Sequence, residues 1–120
     1  MGESHLLGVR GEDHAARHLE AAGWRIVARN FRFGHREIDL IARRGRLVAF
    51  VEVKTRARLR WGHPLVAIDR RKRGEIERVA RFWLERHGRR GDAFRFDAIA
   101  VYHTADGALR VEHVEDAWRM

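Results

Sequence analysis

Three carboxylates and one ammonium sit at close spacing in an otherwise apolar stretch: Glu37-Ile38-Asp39 and then, after twelve residues, Glu52-Val53-Lys54. Ile38, Leu40 and Ile41 surround the first group; Leu47, Val48, Ala49, Phe50, Val51 and Val53 surround the second. Carboxylates left in such surroundings without partners would cost several kcal/mol. A divalent metal would remove that cost. The cation is also unusual for this chain, since Lys54 and Lys72 are its only lysines among 25 cationic side chains. A compact ammonium, unlike a guanidinium, shifts its pKa readily and can handle a water molecule's proton, so its choice beside Glu52 fits catalysis.

Two strands must bring these groups together. Side chains alternate faces along a strand, and opposed residues of an antiparallel pair share a face. The turn falls at Arg43-Arg44-Gly45-Arg46. With an even number of loop residues, opposed positions sum to an odd number, and Glu37, Asp39, Glu52 and Lys54 converge. An odd loop or a bulge would break that convergence. The other face would carry Ile38, Leu40, Ala42, Leu47, Ala49, Val51 and Val53, an apolar surface suited to a helix. The expectation is thus a hairpin with one core face and one chemical face.

A helix is predicted from about Ser4 to Ala22, with Gly23 just past its end; Glu12, Ala15, Ala16, Leu19 and Ala22 share its inward stripe. Arg10, His14, Arg17 and His18 form a basic face, read either as a solvated surface or as an approach to phosphates. His14 and His18 have the i, i+4 spacing of a zinc pair without the Glu of H-E-x-x-H, and surface placement is expected for them. A strand follows from Trp24 to Phe33, then the hairpin, then a basic loop from Arg56 to Pro64 holding Arg58, Arg60 and Trp61. That loop could lie along a nucleic-acid backbone, with Trp61 as the best stacking candidate; Trp24, Trp83 and Trp118 read as core. A second helix runs from about Asp69, its N-cap, to His87, with Gly88 as its stop and Ile76, Val79, Ala80, Trp83 and Leu84 inward. Phe94 to Tyr102 and Leu109 to Val114 read as strands around an Asp106-Gly107 turn. The order αβββαββ implies an α/β fold with helices covering a sheet.

At 120 residues the chain suits one domain, 1–120, able to bury about two thirds of its unfolded surface. The lack of cysteine excludes disulfides and thiolate metal sites. No run approaches the roughly 20 apolar residues of a membrane span, and the N-terminus lacks a signal-peptide pattern, so a cytoplasmic address without membrane attachment is expected. A formal charge of +8 and a pI near 11.3 point to an anionic partner, nucleic acid first and an acidic membrane surface second. The 23 arginines record a compositional bias as readily as a taste for phosphate.

The pattern of Asp39 and Glu52-x-Lys54, with the earlier acid Glu12 on a leading helix, resembles the PD-(D/E)xK nuclease superfamily and its restriction-endonuclease-like fold. More narrowly, Gly11-Glu12, Arg29-Asn30, Glu37 to Ala42, Phe50 to Arg56, Trp83-Leu84 and Arg95-Phe96-Asp97 look like the uncharacterised bacterial YraN family, over nearly the whole chain. That family is similar in fold and acid placement to archaeal Holliday-junction resolvases. The resemblance implies a mixed five-stranded sheet flanked by helices, branched or structured DNA as partner, and a homodimer that sets two sites against two strands. It implies Asp39 and Glu52 as ligands of Mg²⁺ or Mn²⁺, with the Val53 carbonyl and water. Glu12 would hold a second metal or a bound water, and Lys54 would position or help deprotonate the attacking water. Glu37 and Asp97 are outer candidates, Glu37 alternatively pairing with Arg36 or another arginine, and Thr55 and Arg56 would contact the substrate backbone. Two departures stand out: Ile38 replaces the proline of the superfamily's name, and Arg36, where the narrower family often has glycine, stands close enough in sequence to neutralise the acids in part. The implied activity is a metal-dependent endonuclease. The competing reading is a nucleic-acid-binding module of the same fold in repair, recombination or uptake, and a remoter one is RNA or ribosome maturation.

Overall fold

The computed structural model describes the backbone of residues 3–56 and 68–120 and the side chains of residues 11–55 and 68–120. Arg58, Arg60 and Trp61 lie outside the described residues, as do the side chains of Arg10 and Arg56. The elements are α1 (Glu3–Ala21), β1 (Arg25–Phe33), β2 (Arg36–Arg44), β3 (Leu47–Arg56), α2 (Arg70–His87), β4 (Ala93–His103) and β5 (Leu109–Trp118). The order αβββαββ and the mixed five-stranded sheet are therefore those that the sequence and its resemblance implied.

Local chemistry explains the boundaries. Asp69 caps α2, its carboxylate accepting the Lys72 N–H at 2.8 Å. At the other end Gly88 donates its N–H to the Leu84 carbonyl at 2.8 Å, and a Cβ at position 88 would run into that same oxygen. In the β2–β3 hairpin, Arg44 opposes Leu47 and leaves a two-residue loop that opens on Gly45 at φ +62. The loop is even, as the convergence of the acids required.

The strands lie in sequence order across the sheet. Neighbours are antiparallel except β3 and β4, which run parallel from Leu47↔Ala93 to Arg56↔Tyr102. A parallel pair needs a crossover connection, and α2 is part of it. Packing then falls on both faces of the sheet. Ala15, Ala16 and Leu19 of α1 meet Leu40, Ala42, Ala49, Val51, Val53, Ile99 and Val101 on one side. Ile76, Val79, Ala80 and Trp83 of α2 meet Ile38, Ile41, Val48, Phe50, Phe96 and Ala98 on the other. Trp24, Trp83 and Trp118 are all buried, as expected of core residues, whereas Ala22 is exposed and Leu84 half-buried.

The hairpin departs from the expected division into a core face and a chemical face. Both faces are core near the turn, because α2 returns over Ile41, Val48 and Phe50. Chemistry is confined to the far end. Nor does β2 alternate evenly, since Ile38 packs on the α2 side while Leu40 and Ala42 pack on the α1 side. The interruption falls at Asp39. Across from it on β1, between the partners Arg29↔Leu40 and Phe31↔Ile38, Asn30 takes the left-handed φ of 49. Both strands thus change faces at one level. Arg43, expected in the turn, instead lies within β2, one residue before its end, in a buried bidentate pair with Asp92 at 2.8 and 2.9 Å, which joins the hairpin to the turn before β4.

Candidate functional site

The β2–β3 ladder runs from Arg44↔Leu47 to Leu40↔Val51, and the acids lie just beyond its last rung. There the Val53 N–H donates to Asp39 Oδ2 at 2.7 Å, so a side chain takes a backbone donor past the end of the ladder. Glu52, 4% exposed, lies on the same face as Phe50, beneath the start of α2. Its Oε1 is 3.4 Å from Lys54 Nζ and 3.9 Å from Lys72 Nζ, while Oε2 is buried with no hydrogen-bond partner. Burial first, and then the neighbouring Glu52 carboxylate, push the Asp39 carboxyl up from 3.8 to about 7; the Val53 N–H opposes that shift.

Glu12 reaches this end of the sheet from α1. Gly11 makes its approach possible, because a Cβ there would meet the Thr55 side chain. Asn30 Nδ2 donates to Glu12 Oε1 at 3.1 Å and to Glu37 Oε1 at 2.9 Å, binding the two acids into one group. Burial and then the charge of Asp39 raise the Glu12 pKa, while the Asn30 hydrogen bond lowers it. Glu37 pairs with Arg32 at 3.1 Å rather than with Arg36. The structure therefore sets Asp39, Glu52 and Lys54 together, with Glu12 and Glu37 on the α1 side.

Sequence reasoning missed Asn30 and Lys72. Asn30 stands out in the sequence only as part of the Arg29-Asn30 pattern of the resemblance and carries no role there, because nothing in a Val-Ala-Arg-Asn-Phe strand marks a left-handed residue beyond the tolerance of asparagine for it. For Lys72 the signal was the scarcity of lysine. Asp97 does not join the acids. It opposes Val51, on the α1 side of the sheet by alternation with Phe96 and Ala98, and it is fully buried. It accepts from Arg95 Nη2 at 3.1 Å and the Asp116 N–H at 3.0 Å, and lies 2.7 Å from His113 Nε2. His113 Nδ1 in turn lies 3.2 Å from His18 Nε2, so the half-buried His18 joins a polar chain that leads inward to Asp97. Arg17 is exposed.

No three His, Asp or Glu side chains among the described residues form a ready ligand set for a metal. Two carboxyl groups side by side, Glu52 with a buried oxygen that no N–H reaches and Asp39 retaining to about pH 7 a proton that it shares with Glu52, nevertheless fit a hard divalent cation. A cation there would replace that proton and satisfy the orphaned oxygen, its remaining positions filled by main-chain and water oxygens.

Fold and site define a small α/β protein whose mixed sheet gathers carboxylates and lysines at one end of its central strand. The model of the uncharacterised protein family UPF0102, the YraN family, matches residues 11–101, and the chain belongs to that family. A UPF0102 protein of Beutenbergia cavernae is 45% identical over 114 residues, covering 95% of this chain and 97% of its own. One from Geobacter sulfurreducens is 43% identical over 115 residues, 96% and 90% of the two chains. Among solved structures, Pyrococcus furiosus SfsA in complex with Ca²⁺ is similar at a TM-score of 0.40 and 18% identity, over 93% of this chain and 63% of that one. No membrane-crossing helix occurs among the described residues.

Proposed function

We propose that the protein is an Mg²⁺- or Mn²⁺-dependent endonuclease that hydrolyses phosphodiester bonds in branched or structured DNA, in the manner of a Holliday-junction resolvase. The observation that carries this reading is the Asp39–Glu52 pair, with its orphaned oxygen, standing beside Lys54. A divalent cation held there supplies Lewis acidity toward the phosphoryl oxygen and compensates transition-state charge. The rest is the work of side chains. The Val53 N–H fixes Asp39 Oδ2, and Glu52 holds Lys54 Nζ at 3.4 Å, where the ammonium can orient the attacking water by donating a hydrogen bond to its oxygen, and only the neutral amine could accept the water's proton. Glu12, fixed by Asn30, adds negative charge that favours cation binding from the α1 side. Arg10, Arg17, Thr55, Arg56, Arg58, Arg60 and Trp61 are assigned to the DNA backbone and its bases, Asp97 to support of the sheet. A pair of protomers in the cytoplasm, each offering one site to a junction strand, completes the reading.

The absence of a three-acid ligand set among the described residues favours a second reading, a non-catalytic DNA-binding module. Labelled four-way junctions, flaps, duplexes and single strands, incubated with Mn²⁺ or EDTA, separate the two. Cleavage that needs Mn²⁺ and falls at least about a hundredfold in Asp39→Asn and Lys54→Ala, with binding retained, supports the enzyme. Salt-sensitive binding without cutting of any of these substrates under any divalent metal gives the second reading.

A further inference from the structure

Both lysines of a chain with 23 arginines meet at one oxygen. Lys54 reaches Glu52 Oε1 along its own strand, two residues on. Lys72 comes from the first turn of α2, after a connection of seventeen intervening residues, and its Nζ stands 3.9 Å from the same atom. The Asp69 cap fixes the backbone from which it projects. That turn reads Arg70-Arg71-Lys72-Arg73 and holds no acid, although a helix N-terminus favours negative charge and disfavours positive. Two of the neighbouring cations are directed elsewhere: Arg71 to Glu75 at 3.8 Å, and Arg73 to the Ile68 carbonyl at 3.0 Å and over the Trp118 ring. Lys72 points to the acids.

Its hold on Glu52 is loose. At 37% side-chain exposure and the outer limit of an ion pair, the contact leaves the four-carbon stem free to swing its charge by a few ångströms. Glu52 already has the nearer Lys54, so at that carboxylate the second ammonium is in excess. We propose that Lys72 is a substrate-contacting residue of this site: its ammonium leaves Glu52 for a non-bridging oxygen of the phosphate that Lys54 faces from the strand side. The inference rests on the nuclease reading for the identity of the phosphate. A compact ammonium suits a single oxygen approached from one side, where the forked guanidinium would demand two.

The scarcity of lysine makes the test direct. Acetylation with a succinimidyl ester, read by mass spectrometry, reports only Lys54, Lys72 and the N-terminal amine. The probe is a four-way DNA junction with Ca²⁺. The expected result is protection of Lys54 and Lys72 together by about fivefold or more over the free protein, with single-turnover cleavage in Mn²⁺ about ten- to a hundredfold slower in Lys72→Ala and partly recovered in Lys72→Arg. A structural role for Lys72 in balancing Glu52 would not produce DNA-dependent protection. Protection of Lys54 alone overturns the proposal and leaves the nuclease reading standing. Protection of both lysines without cleavage by wild type keeps the phosphate contact and removes the enzyme, and protection of neither removes both.

Discussion

Asp39 carries a titration that the whole molecule should register. Its carboxyl is raised from 3.8 to about 7 by burial and by Glu52, so the folded state resists losing that proton. The sign follows: the group adds no penalty below about pH 4, and destabilises the fold progressively as pH rises through about 7. In EDTA the melting temperature should therefore decline between about pH 5 and pH 8, and Asp39→Asn should flatten that decline and melt higher at the upper end. Mn²⁺ should raise the wild-type melting point more at pH 8 than at pH 5, because cation and proton compete for one carboxylate. A melting point that does not vary with pH would contradict the burial of this pair. Glu12, raised by burial and by Asp39, contributes in the same direction.

At the scale of elements, the close contact between α1 and β3 decides whether Glu12 reaches the site. Glycine inside a helix is costly by about 0.5–1 kcal/mol relative to alanine, so Gly11 needs a reason, and the Thr55 side chain against it supplies one. Gly11→Ala should lower stability by about 1–3 kcal/mol in chemical denaturation and weaken divalent binding by displacing Glu12; adding Thr55→Ala should restore most of both. Independent, additive effects of the two changes would show that the helix does not touch the strand there. The hairpin register was legible in the sequence as far as Leu40↔Val51, because an even loop around Gly45 fixes which residues oppose one another; the acids lie past that rung, where the alternation that was to bring Glu37 to the same face breaks down. So were the caps at Asp69, whose carboxylate accepts a helix N–H, and at Gly88, whose lack of a Cβ leaves room for the Leu84 carbonyl, because both act locally. The cover of α2 over Ile41 and Phe50 was not, since it depends on a crossover that no local pattern encodes. The face change at Asn30 and Asp39 escaped for a related reason: each strand reads as regular alone, and only their pairing shows the shared break.

For the whole molecule, a formal charge of +8 sits around an acidic centre, which separates binding from chemistry. Junction affinity should fall by roughly a thousandfold between 50 and 200 mM salt if about six phosphates are engaged, and Asp39→Asn should leave that slope unchanged. A flat salt dependence would remove the basic surface from recognition. The parallel pairing of β3 with β4 has a kinetic consequence of its own. Leu47 meets Ala93 only after a long intervening segment is drawn in, and closing such a loop costs entropy before its contacts return anything. In refolding, burial of the local β2–β3 hairpin should therefore precede seating of α2 on the sheet, and Lys72 should reach Glu52 last. Competence to engage phosphate would then arise as one of the final events of folding, and a partly folded chain would carry the acids of the site without its second lysine.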